Sequence, residues 1–198
     1  NNVLRSLKER ISRDNSSPIM QHYLNHKNHI PPWILTTSIP YGLSIEWYNI
    51  LRNDDKKIIC DSFISPGAFN EQKTKEFVRK VFDLTKEYRN KIAHGNLTFS
   101  MINLPQLPKE QLLSLTFNAI SEEEYNLRIG QDDTLAVILS LIVMLSDNYL
   151  INNFYTELCN VLSPYETVSF NDQSIFDVFG FPNDLLDRLK KLIMQKFN

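Results

Sequence analysis

The stretch Asn70 to Asn96, NEQKTKEFVRKVFDLTKEYRNKIAHGN, decides the fold of this chain. Phe77, Val81, Leu84, Tyr88 and Ile92 recur at steps of four, three, four and four, which lines one face of a helix. Gly95, just past the last of them, is placed to cap its C-terminus. The spacing predicts one helix from about 70 to 94. The same period governs the residues on both sides. Downstream, 96–108 holds two prolines and reads as a loop, and Pro108 opens a helix through Leu112, Leu113 and Leu115. Ser121 with Glu124 has the form of a capping box. Asp132 or Asp133 caps a long helix from Thr134 to Leu162 that Pro164 ends. A less regular segment, 165–182, precedes an amphipathic helix from Asn183 to about Phe197.

Upstream, Val3 to Ile11 has helical spacing, and a short helix holds Ile19, Tyr23 and Leu24. Pro32 opens a segment through Leu35. Ser44 is placed to cap Ile45 to Arg52, and Asn53-Asp54-Asp55 to cap Lys56 to Ile64, which Ser65-Pro66-Gly67 closes. The expected fold is all-α, one helical-bundle domain over 1–198 with no repeat and no linker.

Composition narrows the function classes. With 5 glycines in 198 residues, long helices are favoured over many tight-turned strands, and 2 cysteines build neither a disulfide framework nor a four-cysteine zinc site. The apolar run Leu135 to Leu145 falls short of the about 20 residues a membrane span needs, so it reads as a buried core helix. No membrane association is expected, and without a signal segment the cytoplasm is the expected location. The missing initiator Met predicts that the chain starts downstream of the natural N-terminus.

Catalytic patterns are few. There is no Gly-x-Ser-x-Gly and no phosphate-cradling glycine loop. His22, His26 and His29 are spaced by four and three, so a metal site is conceivable, but no nearby carboxylate or cysteine completes the set. Neither a metal nor a cofactor is expected. The acidic run Glu122 to Glu124 reads as a solvated helix start. What remains is Arg89 to His94. Residues five apart lie about 140° apart around a helix, yet Arg89 is long enough to reach over Ile92 and Ala93 towards His94. A histidine in the last turn, where the dipole favours positive charge, suits proton transfer. An arginine offers a planar cation for phosphate. The pair fits cleavage of RNA by its own 2′-hydroxyl. From Glu71 to Lys91, seven basic residues oppose four acidic ones, a local excess of +3 in a chain of net charge -2. That excess suits phosphate binding; the alternative is that Glu76–Lys80 and Asp83–Glu87–Lys91 neighbours simply pair along the helix.

Arg89-Asn90-Lys91-Ile92-Ala93-His94 resembles the R-x4-6-H signature of the HEPN superfamily. Three further stretches resemble the Abi-like family of bacterial abortive-infection proteins within it: His22-Tyr23 with Pro31 to Leu35, Tyr41 to Ser44, and Gly180 to Asn183. Their order matches the family pattern over about residues 20–185. The resemblance implies a HEPN-type helical bundle and a homodimer whose signature helices face each other to form one metal-independent RNA-cleaving site. By position, Arg89 would bind the scissile phosphate, His94 would move a proton and Asn90 would be a polar positioning residue. Lys86, Lys91 and Asn96 would be flanking substrate contacts. The implied role is phage defence by RNA cleavage, under an antitoxin or regulatory partner. The family usually has another helical region upstream, and its sequence after the histidine is more basic and aromatic than Gly95 to Thr98. The competing reading is a non-catalytic helical module that binds RNA or protein.

Overall fold

A computed structural model describes residues 2–13, 18–27 and 29–197, and the chain groups into two compact units, 1–56 and 57–198. Among the described residues there are twelve α-helices and a single two-stranded ribbon, so the fold is all-α as expected. None of these helices is long and apolar enough to cross a membrane.

The first unit holds α1 (Asn2–Arg13), α2 (Pro18–Lys27), α3 (Pro32–Ser38), α4 (Tyr41–Ile50) and the start of α5 (Asn53–Phe63). Leu7, Met20, Ile39, Ile45 and Tyr48 are buried there. Two helix starts differ from expectation. Helix α4 begins at Tyr41, because the Pro40 carbonyl accepts from the Leu43 and Ser44 N–H groups (2.9 and 3.1 Å), and a proline just ahead of the first turn sacrifices no hydrogen bond. Ser44 therefore lies inside the helix, where its hydroxyl donates to the Tyr41 carbonyl at 2.7 Å. Likewise Asn53-Asp54-Asp55 forms the first turn of α5 rather than preceding it, where the positive end of the dipole favours the two carboxylates.

The second unit is built around α9 (Thr134–Met144), nine of whose eleven residues are buried. This is the core helix that the apolar run predicts. Packed on it is α6 (Glu71–Ala93), through buried Phe77, Val78, Val81 and Leu84, and α7 (Lys109–Leu115) packs on α6. Then come α8 (Glu122–Asn126), α10 (Asn148–Leu162), α11 (Ile175–Phe179) and α12 (Leu185–Lys196), with α10 against α12. The α8 capping box forms as read, with Ser121 and Glu124 bonding each other's backbone. Cys60 is buried and Cys159 half-buried, and neither is in a disulfide.

The stretch 134–162 is two helices rather than one. Leu145 turns extended (φ -73°, ψ 118°), and Asp147 starts α10 by accepting from the Leu150 N–H at 2.9 Å. The freed carbonyls of α9 are met from far along the chain: Lys196 Nζ donates to Ile142, Val143 and Leu145 at 2.7, 2.6 and 2.6 Å. Within 165–182 an antiparallel ribbon pairs β1 (Ser169–Phe170) with β2 (Gln173–Ser174). Asn171 and Asp172 form its turn at φ 51° and 61°, the left-handed pair that a two-residue hairpin requires.

Candidate functional site

Helix α6 carries its charge unevenly. In its first half three of the four cations are paired within the fold, and Lys80 makes no ion pair among the described residues. Lys73 Nζ donates to both Glu110 oxygens (2.7 and 2.6 Å), Lys75 pairs with Glu71, and Arg79 lies 3.8 Å from Asp83. Towards its end, among the described residues, Lys86, Arg89 and Lys91 have no carboxylate partner. Lys91 instead makes a long 3.4 Å hydrogen bond to the Ile102 carbonyl. The Glu76–Lys80 and Glu87–Lys91 pairs that spacing allows do not form. Three of the helix's four cations without a carboxylate partner among the described residues thus lie in the last two turns, near His94, where Glu87 is the one carboxylate.

The end of the helix is closed locally. The His94 N–H donates to the Asn90 carbonyl at 3.0 Å, and Gly95 takes a left-handed φ of 81°. That reversal brings Asn96 back over the last turn, where its backbone and side-chain N–H groups both donate to the Lys91 carbonyl (3.0 and 2.9 Å). Asn96 therefore finishes the helix. The imidazole of His94 is left exposed and makes no hydrogen bond among the described residues. Arg89 is exposed too, with Nη1 donating to Asn90 Oδ1 at 3.3 Å. Arg89 and His94 make no bond to each other. The short reach between them that the sequence suggests is replaced by an Arg89–Asn90 pair with His94 open beside it.

The terminus projects from a fixed base. Tyr88 is half-buried, and its hydroxyl bonds Thr134 at the first turn of α9; burial pushes that phenol above its usual value, and the hydrogen bond draws it part of the way back. The Thr134 hydroxyl in turn donates to the Thr98 carbonyl at 2.7 Å. One threonine therefore ties both the last core turn of α6 and the 3-10 turn Thr98–Ser100 that follows His94. That turn carries Phe99, edge-on to Phe179 at 6.2 Å, and Phe179 stacks on Phe181 at 5.0 Å. The Gly180 to Asn183 stretch so lies against the loop that leaves the Arg89–His94 helix.

Apolar residues at the terminus and in the segment that follows it are exposed. Ile92 is 44% exposed, Phe99 45% and Ile102 60%. Ile92 continues the stripe of Phe77, Val81, Leu84 and Tyr88, so sequence places it in the core, but α6 extends past the core before reaching it. Sequence reading missed both this exposed collar and the Tyr88–Thr134 tie. The stripe's own length, reaching as far as the cap, was the available signal for the collar.

The histidines of the first unit do something different. His22 and His26 stack with ring centroids 4.8 Å apart, and the His29 ring meets Tyr23 edge-on at 6.3 Å. Among the described residues no three His, Cys, Asp or Glu side chains are grouped to hold a metal ion.

A family model described as Abi-like protein matches residues 1–100. The match spans His22-Tyr23, Pro31 to Leu35, Tyr41 to Ser44 and Arg89 to His94, while Gly180 to Asn183 lies outside it. No curated protein and no solved structure matches the chain.

Proposed function

Since the chain belongs to the Abi-like protein family, which makes it an abortive-infection-related protein, we propose that it is a metal-independent endoribonuclease of HEPN type, acting in the cytoplasm in phage defence under the restraint of an antitoxin or regulatory partner. The observation that carries this reading is the charge distribution of α6: cations without carboxylate partners, Asn90 and an exposed imidazole share one projecting terminus. In the proposed reaction a 2′-hydroxyl attacks its neighbouring phosphate, and Arg89, positioned through Asn90, stabilises the charge of the phosphorane. His94 takes the hydroxyl proton or supplies one to the departing 5′-oxygen. Lys86 and Lys91 hold flanking phosphates.

In-line displacement needs a base and an acid on opposite sides of phosphorus. By the family resemblance, the second proton carrier is His94 of another copy, and the working unit is a homodimer. The collar of Ile92, Phe99 and Ile102 supplies apolar surface for that pairing.

The test is cleavage of RNA in EDTA by the wild type, Arg89→Ala and His94→Ala, with product ends analysed. The expected outcome is a 2′,3′-cyclic phosphate from the wild type and loss of cleavage by at least a hundredfold in both variants. Cleavage at the wild-type rate in either variant, or a linear 3′-phosphate formed with no cyclic intermediate, overturns the assignment. The missing Arg89–His94 contact favours a second reading, a non-catalytic module that binds RNA or protein. Its mark is RNA or protein binding without turnover from pH 6 to 8.

A further inference from the structure

Helix α12 forms one wall of a cavity of about 440 Å³, inside the roughly 300–1,000 Å³ range of small-ligand sites. Arg188, Lys191 and Gln195 face it, spaced three and four apart so that they share one side of the helix. The opposite wall is the turn Thr116–Ala119 between α7 and α8. Neither Arg89 nor His94 lines this cavity.

We infer that this cavity binds a nucleoside monophosphate, either free or as one nucleotide of an RNA strand. Three kinds of group converge there. First, Phe117 is 49% exposed at its edge, an open aromatic face of the kind on which bases of any sequence stack. Phe117 and Asn118 both hold left-handed backbone, φ 49° and 55°, a conformation that costs a phenylalanine energy, so it is the turn and not side-chain preference that sets the ring there. Second, Lys191 makes no ion pair or hydrogen bond among the described residues, and its ammonium is available to a phosphate.

Beside it the Arg188 guanidinium is locked in place. Nη1 donates to both Glu124 oxygens (2.9 and 2.8 Å) and to the Ala119 carbonyl (3.2 Å), and Nε donates to Asp184 at 2.6 Å. Nη2 remains for a ligand. Glu124 does not repel an anion strongly, because its charge is met by Arg188 and by the Ser121 N–H at 2.7 Å. Third, the Asn118 and Gln195 amides make no side-chain hydrogen bond among the described residues. Each offers the donor and acceptor pair that reads a base edge.

The experiment is calorimetric titration of the full chain with AMP, GMP, CMP and UMP. At least one should bind, one per chain, and Lys191→Ala should weaken it at least tenfold. Phe117→Gly separates fold from ligand: glycine takes the left-handed turn without strain, so the variant should fold at least as stably yet bind at least tenfold more weakly. A 2′-O-methyl hexanucleotide that displaces the mononucleotide identifies an RNA strand as the source; failure to displace identifies a free nucleotide, and both support the site. No binding at millimolar concentration, or wild-type affinity in both variants, overturns it. The same titration on Arg89→Ala separates this site from the cleavage reading, since binding there should be unchanged.

Discussion

Replacing Lys196 with methionine removes the three hydrogen bonds that end α9 and keeps an unbranched stem of nearly the same length. A hydrogen bond from a charged donor contributes about 1.5–3 kcal/mol net of the hydration it replaces, and three bonds from one ammonium do not add. Burial works against that gain here, since it pushes this ammonium from its usual 10.5 to about 8. What survives is the gain from capping the three carbonyls at the end of α9 with an amine, charged or neutral, about 2 kcal/mol. Urea unfolding of Lys196→Met should therefore show a lower midpoint at an unchanged slope, with a fall in Tm of roughly 4–8 °C. Between pH 8 and 10.5 the unfolded chain holds a proton that the folded chain has released, so wild-type stability rises with pH across that window. Lys196→Met lacks this gain. Its deficit should widen there by on the order of 1 kcal/mol, a figure reduced for an amine that still meets solvent. A variant within about 0.5 kcal/mol of wild type at pH 7 would refute the reasoning, because water would then cap α9 as well as Lys196 does. A deficit that narrows with pH would show that the carbonyls, and not burial, govern this proton.

Other outcomes follow from the same geometry. Gly95→Ala should cost about 1 kcal/mol in thermal unfolding, all of it from the backbone, because a Cβ at φ 81° meets no atom within 4 Å; no loss at all would mean that α6 does not end in a left-handed turn. Glu124→Gln should cost about 1–2 kcal/mol at pH 7 by breaking the half-buried Arg188 pair. Burial pushes the Glu124 carboxyl up, but Arg188 and Ser121 together bring it below its usual value, so its contribution is present above about pH 4.5 and is lost as pH falls through the lowered value. Parallel unfolding series for Glu124→Gln and wild type should therefore converge in acid, and a gap that persists at pH 2 refutes the pairing argument. Ile92→Glu should convert a dimer to a monomer in light scattering and abolish RNA cleavage with it; a monomeric wild type that cleaves would remove the need for a second copy.

Helix α6 was legible because two local signals agree on it: a four-three-four-four stripe and Gly95 at its end. At its start the structure adds a cap by Asn70, which accepts from the Lys73 N–H at 2.9 Å. Agreement of that kind is short-range, and so is what a single sequence shows. At the break after α9 the freed carbonyls are met by Lys196, more than fifty residues away, which nothing in the apolar pattern of 134–162 records; the local sign was Asp147, which caps α10. The early start of α4 was written in Pro40, but Ser44 is an equally good cap by type, and only the Pro40 carbonyl decides between them. At the candidate site, the identity of Arg89, Asn90 and His94 was legible, and so was the local excess of charge. Which cations remain unpaired was not, because Glu110 comes to Lys73 from a different helix.

This asymmetry within α6 gives the proposed site its physical sense. A helix that spent every lysine and arginine on neighbours four residues away would be stable and would have nothing left for a phosphate. Here the paired cations lie where the helix is anchored to α7 and α9, and Arg89 and Lys91, which have no carboxylate partner among the described residues, lie just past the Tyr88–Thr134 tie. Ile92 makes the same point in apolar terms. It extends the core stripe by one more turn into solvent, which costs stability in an isolated chain. A second copy meeting this one about a two-fold axis would bury the same collar on both sides. In the proposed dimer the second His94 would arrive with the surface that covers Ile92, so one pairing would bury the apolar turn and complete the proposed site.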